Sequence, residues 1–467
     1  MGSRGGTGRP EKVMRAALAA IAIVLLAPDA GAAGGAYKET AHGDKEQGVR
    51  RQRGVTPGAC SHCHSRPIGA VRGSGEMTLF APNDNTLCFT CHAETRGSFT
   101  GRARFSRSAH GLETGLAWPG PEPRARPTTD GGKCLNCHDP HGVRDGAGVI
   151  PDMLRLRGEA LCLGCHGGGR GSKDVGAAFR QPYHHPLTGG QGPATSTLRS
   201  TGLATAGAPA AAGCSACHNP HVEAVAATQR RAPAPPPSLQ GVAHVRVTSG
   251  APGSEPSTVP VPADDATPAA EHEVCFGCHA KVTARGGGSG ARLSVAAQFN
   301  PANASFHPVL AQARSTDLDR AAFANGWTAD RQVYCSDCHS GDDGRVRGPH
   351  GSSYEHILKK RYPTVRGEKM VANDLCFDCH AFKTYGDPAG GAAVDRSRFP
   401  GHASHVARGD GCFVCHESHG AATQPTLIAL RTPGITSFKP DMQGGSCTVS
   451  CHRTAPPSAK YRTSLRR

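Results

Sequence analysis

The chain has too few apolar side chains for an ordinary hydrophobic core. Only 37% of its 467 residues are hydrophobic and 5% are aromatic, whereas 61 are glycine and 36 are proline. A chain of this length commonly forms about three domains, and their cores would need aliphatic and aromatic residues that are scarce here. We therefore predict that something other than side chains fills the interior. The fold class we expect is mostly coil with short α-helices and little β-structure.

The sequence also has no hydrophobic run of membrane-spanning length near its N-terminus. The apolar stretch from Ala16 to Ala27 has twelve residues, whereas a transmembrane helix needs about 20. Basic residues precede this stretch, and Ala30-Gly31-Ala32 follows it as a small-residue cleavage site, which is the pattern of a secretory signal peptide. We expect residues 1–32 to be removed on export, with a retained membrane anchor as the alternative. No cysteine precedes Cys60, so we expect no lipid anchor near the cleavage point.

Cysteine is abundant, and every cysteine belongs to a repeated motif. The 20 cysteines form ten pairs, and a histidine directly follows each pair. Nine pairs read C-x-x-C-H, whereas the tenth has one extra spacer residue. The cysteines are Cys60, Cys63, Cys88, Cys91, Cys134, Cys137, Cys162, Cys165, Cys214, Cys217, Cys275, Cys278, Cys335, Cys338, Cys376, Cys379, Cys412, Cys415, Cys447 and Cys451. The histidines that follow them are His64, His92, His138, His166, His218, His279, His339, His380, His416 and His452.

The histidine after each pair indicates which chemistry the motif serves. C-x-x-C alone could be half of a zinc site, a redox dithiol or part of a disulfide framework. A zinc site makes no demand on the following residue, whereas C-x-x-C-H is the attachment sequence of c-type haem. The two thiols bond to the haem and the histidine becomes the proximal iron ligand. We predict about ten covalently bound haems c, with a zinc array as the alternative.

Enough histidines remain to give every iron a second, distal histidine ligand. The chain has 25 histidines, so fifteen are left after the ten proximal ones. Three of them, His141, His221 and His419, lie three residues after a proximal histidine; they are too close to reach the far face of the same haem, so we expect them to ligate neighbouring haems. The predicted distal ligands are His42, His110, His141, His185, His221, His307, His350, His405 and His419. The tenth is left open among His62, His184, His244, His272, His356 and His402.

With these motifs the chain resembles the doubled C-x-x-C-H multihaem c-type cytochromes, which occur among periplasmic and surface electron-transfer proteins of metal-reducing bacteria. The resemblance extends from about His42 to His452. It implies a multihaem cytochrome c architecture in which covalent haems form the core. It also implies redox partner proteins, such as periplasmic or outer-membrane cytochromes or a porin-cytochrome complex, and mineral or soluble extracellular acceptors. The first site departs from the family, with Pro67 where the extra histidine would fall; the spacer of the tenth site is the second departure.

The resemblance implies an exported decahaem cytochrome that carries electrons along low-spin bis-histidine haems and is not an enzyme. We expect it in the periplasm or associated with the outer membrane or the cell surface. The alternative is a multihaem reductase of nitrite, hydroxylamine or a sulfur oxyanion, with one open iron at the irregular first or tenth site. The net charge of +15 would suit nucleic acid, but haem propionates offset it. We expect the basic residues to pair with propionates, and no nucleic-acid partner.

Composition suggests how the chain is divided. Glycine, alanine and proline concentrate on either side of the fifth site, which is typical of flexible segments. A further prediction is a helix from Tyr354 to Arg361, which is rich in helix formers. The predicted divisions are a signal peptide at 1–32, haems 1–4 at 33–187, haem 5 within flexible segments at 188–270, haems 6–10 at 271–455 and a basic tail at 456–467.

Overall fold

The computed structural model describes most of the chain around the ten motifs. The predicted signal peptide at 1–32, the tenth proximal histidine His452 and most of the predicted tail at 456–467 lie outside the described residues. The described residues are 36–65, 79–92, 102–113, 134–168, 173–187, 213–221, 231–263, 270–281, 293–314, 318–397, 399, 401–440, 444–451 and 459–462.

The described α-helices are short, and the longest of them has nine residues. Isolated helices of this length are marginal in water, so caps support them: Asp84 accepts from the backbone N–H of Thr86 at 2.7 Å, and Ser294 Oγ accepts from that of Ala297 at 3.1 Å. The helices are α1 Asn85–Phe89, α2 Arg102–Arg107, α3 Ala109–Leu112, α4 Glu159–His166, α5 Val175–Ala178, α6 Glu271–His279, α7 Val295–Gln298, α8 Phe382–Tyr385 and α9 His402–Arg408.

Among the described residues, short 3₁₀ turns outnumber the α-helices. The predicted helix from Tyr354 to Arg361 is wrong, because only a 3₁₀ turn forms there. His356 and Ile357 have φ of 61° and 55°, and a left-handed residue cannot continue a right-handed helix. The 3₁₀ turns are Tyr37–Glu39, Cys60–His62, Cys134–Asn136, Pro151–Met153, Cys214–Ala216, Pro237–Leu239, Arg320–Ala322, Cys335–Asp337, Glu355–Ile357, Leu375–Asp378, Gly391–Arg396, Cys412–Val414 and Pro425–Leu427.

The strands form small antiparallel sheets rather than one layer. The expected fold class, mostly coil with short helices and little β-structure, is therefore confirmed. The two-stranded pairs are β1 Arg144–Asp145 with β2 Gly148–Val149, β3 Tyr183–His184 with β7 Gly351–Ser352, β4 His244–Thr248 with β5 Ser257–Val261, and β6 Ser305–Phe306 with β8 Gly420–Ala421. The three-stranded sheet has the order β11 Ala459–Arg462, β10 Gly444–Val449, β9 Ile435–Lys439.

In the part of the chain that the structure describes, buried apolar residues form three small clusters instead of one core. Phe276 in the first cluster and Phe377 in the second are only 3% and 4% exposed, and each follows the first cysteine of an even-numbered motif. The first cluster also contains Val245 from the β4–β5 hairpin, so part of the segment 188–270 is a packed hairpin. Within the described residues, no helix has both the length and the hydrophobicity of a membrane span.

Candidate functional site

Each described C-x-x-C-H motif contains one helical turn. The backbone N–H of the histidine donates to the carbonyl of the first cysteine at 2.9 Å in seven motifs, those of His64, His92, His138, His218, His339, His380 and His416. His166 and His279 are the last residues of α4 and α6. Because residues i, i+3 and i+4 share one face of a helical turn, both sulfurs and the imidazole project to the same side. Attachment of one haem requires this arrangement.

The tenth site has a different local structure. Cys447 lies in strand β10 and is 7% exposed, against Ile428 and Ile435. The strand pairing shifts register between Thr448 and Val449, two residues before Cys451. The extra spacer residue is therefore accommodated by an irregular strand end rather than by a helical turn.

All twenty cysteines are free, so the structure contains no disulfide framework. Their thiols stand for the sulfurs that form thioether bonds in a haem-loaded chain.

Nine proximal histidines each face a second histidine ring. Two metal–nitrogen bonds of about 2 Å and two ring radii of about 1.1 Å, from ring bonds near 1.33 Å, place such rings about 6 Å apart across one iron. The centroid distances are 6.1 Å for His64 with His141, 5.9 Å for His92 with His42, 5.9 Å for His138 with His221, 6.0 Å for His166 with His110, 6.0 Å for His218 with His350, 6.0 Å for His279 with His185, 6.3 Å for His339 with His419, 6.4 Å for His380 with His307 and 6.0 Å for His416 with His402. Each of these nine sites fits one iron.

Eight of the nine histidines predicted as distal ligands lie in these pairs. The ninth, His405, has its ring 5.6 Å from that of Phe399. The ring that faces His416 belongs to His402, one of the candidates that the sequence left open. The one-turn spacing of His402 and His405 is the sequence signal that could have drawn attention to both.

The second rings come from two alternating sources. We define five units of two motifs each, so that each unit has an odd and an even site. Even sites 2, 4, 6 and 8 face a histidine that precedes their own unit, such as His307 for His380. Odd sites 1, 3, 5 and 7 face a histidine that follows the odd motif of the next unit, such as His419 for His339. The units are A at 60–92, B at 134–166, C at 214–279, D at 335–380 and E at 412–452.

In units C and D, a small sheet holds together the two histidine rings that serve as distal partners of that unit. His185 Nδ1 bonds the carbonyl of Pro349 at 2.5 Å, directly before His350, and strands β3 and β7 pair beside this contact. His307 Nδ1 bonds the carbonyl of Ser418 at 2.7 Å, directly before His419, and β6 pairs with β8 there. The distal rings of units C and D are therefore positioned in pairs.

A backbone carbonyl orients the proximal ring at four odd sites. The acceptors for Nδ1 are the carbonyls of Asp152 at 2.9 Å for His138, Ser238 at 2.9 Å for His218, His356 at 2.8 Å for His339 and Thr426 at 2.9 Å for His416. A ring that donates from Nδ1 keeps the lone pair of Nε2 for a metal. These bonds therefore select the tautomer that a haem iron requires.

Three of these carbonyls belong to strained residues. Asp152, His356 and Thr426 have φ of 57°, 61° and 53°, and a non-glycine residue in this region costs about 1–3 kcal/mol. The strain places each carbonyl against the proximal imidazole, because the turn reverses the chain onto the motif. Sequence analysis missed these turns, since none of the residues favours a left-handed conformation strongly.

The environment keeps four of the distal imidazoles neutral. Burial, followed by repulsion from the ring each one faces, lowers the pKa of His221 and His350 to about 4 and of His402 and His419 to about 3. Neutral imidazole is the form that binds a metal. These four rings are therefore in the ligating state at neutral pH.

Neighbouring sites contact one another in chain order. A thiol hydrogen bond joins each even site to the next odd site, and the bond between Cys88 and Cys134 lowers the pKa of the first thiol and raises that of the second. Thioether formation would remove the proton of this bond but leave the sulfurs adjacent. The four bonded pairs are Cys88 with Cys134, Cys162 with Cys214, Cys275 with Cys335, and Cys376 with Cys412.

The two sites within each unit are also close. Burial, and then the charge of Cys451, raise the pKa of Cys415 to about 11. Together with the bonded pairs, these electrostatic interactions relate each site to the next along the chain. The pairs within units are Cys63 with Cys91, Cys137 with Cys165, Cys217 with Cys275, Cys379 with Cys338, and Cys415 with Cys451.

Side-chain hydrogen bonds that sequence analysis did not predict connect neighbouring units at two places. Glu271, 4% exposed, accepts from Ser336 N at 2.9 Å and from its Oγ at 2.8 Å. Asn85 Oδ1 accepts from Cys134 N at 2.9 Å. In both cases a residue before an even motif caps the turn of the next odd motif.

The zinc alternative has little geometric support. Among the described residues, one group of three side chains brings metal-ligating atoms within 4.8 Å, namely Glu271, Cys275 and Cys335. The carboxylate already accepts two hydrogen bonds from Ser336, and each sulfur belongs to a separate C-x-x-C-H motif. An array of zinc sites would require several complete ligand sets.

His62 has a structural role rather than a ligating one. It is fully buried, its Nδ1 accepts from Gln52 N at 3.0 Å, and its Nε2 contacts the carbonyl of Thr56 at 3.0 Å. Because both ring nitrogens bond to backbone, neither is available to a metal. This removes His62 from the candidates for the tenth distal ligand.

Comparison with protein families identifies the doubled CXXCH motif at three segments, residues 53–97, 126–171 and 328–384. These segments contain sites 1 and 2, 3 and 4, and 7 and 8. The motifs indicate covalently bound c-type haem, as in a multihaem c-type cytochrome. Neither the curated proteins nor the solved structures contain a match to this chain.

Proposed function

We propose that the protein is an exported multihaem c-type cytochrome that carries electrons along ten haem sites, each iron being closed by two histidines. The observation that carries this proposal is the set of nine imidazole pairs with centroids 5.9–6.4 Å apart, the spacing that fits one iron. Haem, when bound, supplies one-electron oxidation and reduction at its iron.

The residues of the chain would have three roles in this function. The paired histidines occupy both axial positions, which excludes substrate from the iron. The carbonyls of residues such as Asp152 and Thr426 fix the tautomer and raise the basicity of the proximal ligand. Contacts between the sulfurs of successive motifs keep neighbouring sites adjacent, which supports transfer in chain order.

The proposed location is the periplasm, or the outer membrane and cell surface, with other redox proteins or extracellular acceptors as partners. The predicted signal peptide supports export, and haem c attachment takes place outside the cytoplasmic membrane. The net charge of +15 supports a role for basic residues as partners of haem propionates.

A reductase with one open iron is the alternative proposal. It would need a site with a single histidine, and the irregular first and tenth sites are where we expect it. At the first site, the rings of His64 and His141 have nearly parallel planes and centroids 6.1 Å apart, a separation that favours a closed iron. The alternative therefore depends on the tenth site.

The experiment that distinguishes the two is spectroscopy of the purified holoprotein. Haem is counted by pyridine haemochrome, spin state is measured by EPR, and carbon monoxide is added to the reduced form. Ten low-spin haems that do not bind carbon monoxide would support the electron carrier. A high-spin fraction near one tenth that binds carbon monoxide would overturn it in favour of the reductase.

A further inference from the structure

In unit E, the histidine that faces the odd site has a different position in the sequence than in the other units. Sites 1, 3, 5 and 7 each face a histidine that follows the odd motif of the next unit. Site 9 instead faces His402, which precedes Cys412, the first cysteine of its own unit. The odd sites of units A to D each take their second ring from the next unit, whereas site 9 does not.

His402 has the surroundings of a ligand. Its Nδ1 contacts Ser397 Oγ at 2.5 Å, which leaves Nε2 for a metal. The rings of Tyr385 and Phe399 contact it edge-on, with centroids 5.2 and 5.1 Å away. These contacts fix the ring plane beside His416, 6.0 Å away.

His405 follows one turn later on α9 and is oriented in the same way. Its Nδ1 donates to the carbonyl of Gly401 at 2.7 Å, so the ring has the tautomer with its lone pair on Nε2, the form that binds a metal. In units A to D the histidine upstream of the unit faces the even site. His405 occupies the equivalent upstream position in unit E, whose even site is site 10.

The turn after α9 leads into unit E, whose two sites are adjacent, because Cys415 of site 9 packs against the buried cluster that contains Cys447 of site 10. Asp410 N donates to the carbonyl of His405 at 3.0 Å, and the Asp410 carboxylate accepts from Arg366 Nε at 2.9 Å. The bond with Asp410, and to a smaller extent the charge of Cys451, raise the pKa of Arg366. Arg366 is therefore bonded to the turn that follows His405.

We propose that helix α9 supplies both distal ligands of unit E, His402 to the iron at site 9 and His405 to the iron at site 10. This inference rests on the proposed function and deepens it, because it closes the one site at which the reductase alternative remained. Both irons of unit E are then ligated from the helix directly before the unit, and no other unit is needed to complete them.

The test replaces each histidine in the full-length holoprotein. H402A and H405A should each convert one haem in ten to a high-spin form that binds carbon monoxide, and added imidazole should restore the low-spin spectrum. H402M should stay low-spin and raise the reduction potential of one haem, as a methionine ligand does; this variant remains informative if H402A folds poorly. The control is R408A, which removes an exposed side chain of the same helix, and it should leave the spectrum unchanged.

A second set of variants shows which iron each histidine ligates. In the variant with C447S and C451S, which lacks the tenth attachment site, H405A should have no further effect, whereas H402A should still open one haem. A wild-type spectrum in H402A, or an effect of H405A that persists without the tenth site, would overturn the inference. A high-spin, carbon monoxide-binding haem in the wild-type protein would instead overturn the proposed function, so the two failures are distinguishable.

Discussion

Removing the Glu271 carboxylate tests how the haem units are fastened together. The carboxylate is 4% exposed and accepts two hydrogen bonds from Ser336, at 2.9 and 2.8 Å. A hydrogen bond to a charged group contributes about 1.5–3 kcal/mol, and a buried N–H left unpaired costs about 1–3 kcal/mol. The desolvation of the carboxylate, which raises its pKa, offsets part of this gain. We therefore expect E271A to lower the free energy of unfolding by about 2–4 kcal/mol.

The isosteric variant separates the hydrogen bonds from the charge. E271Q keeps an oxygen that accepts from Ser336 N and fills the same volume, so its cost should be about 1 kcal/mol or less. Guanidinium unfolding of the holoproteins, followed at the Soret band, measures both values. The control is E46A, which removes an exposed carboxylate and should change stability by no more than about 0.5 kcal/mol. The reasoning is refuted if E271A costs no more than E46A, or if E271Q costs as much as E271A.

Three further predictions concern ligation and folding. His221 lies in unit C but faces His138 of unit B, so H221A should open one haem in unit B and produce a carbon monoxide adduct of one haem in ten; an unchanged spectrum would contradict the pairing. T426P should raise the reduction potential of one haem, because proline cannot adopt φ of 53° and His416 loses its acceptor, whereas T426G should not; equal potentials in a redox titration would contradict this role. Replacing all cysteines by serine should give a largely disordered apoprotein by circular dichroism, because the chain has too little apolar surface to offset its conformational entropy; cooperative unfolding of that variant would contradict it.

Short-range patterns were predictable from the sequence, and contacts across the chain were not. The C-x-x-C-H motifs predicted local turns that carry two sulfurs and a histidine, because these residues are neighbours along the chain. The helix predicted at Tyr354 to Arg361 was wrong because helix propensity does not report the contact between His339 and the carbonyl of His356. The hydrogen bonds of Glu271 to Ser336 were missed for the same reason, since the two residues are 65 positions apart.

The sequence by itself determined the chemistry of this protein: ten thiol pairs with a following histidine, a surplus of histidines and a deficit of apolar residues. These features depend only on residue type and local spacing, and they indicate covalent haem as the material of the interior. The tertiary structure alone decided which histidine faces which site, including the choice of His402 for His416. Distal rings come from the next unit or from the segment before their own unit, and only the packing of strands and turns brings such distant residues to the 6 Å separation that one iron requires.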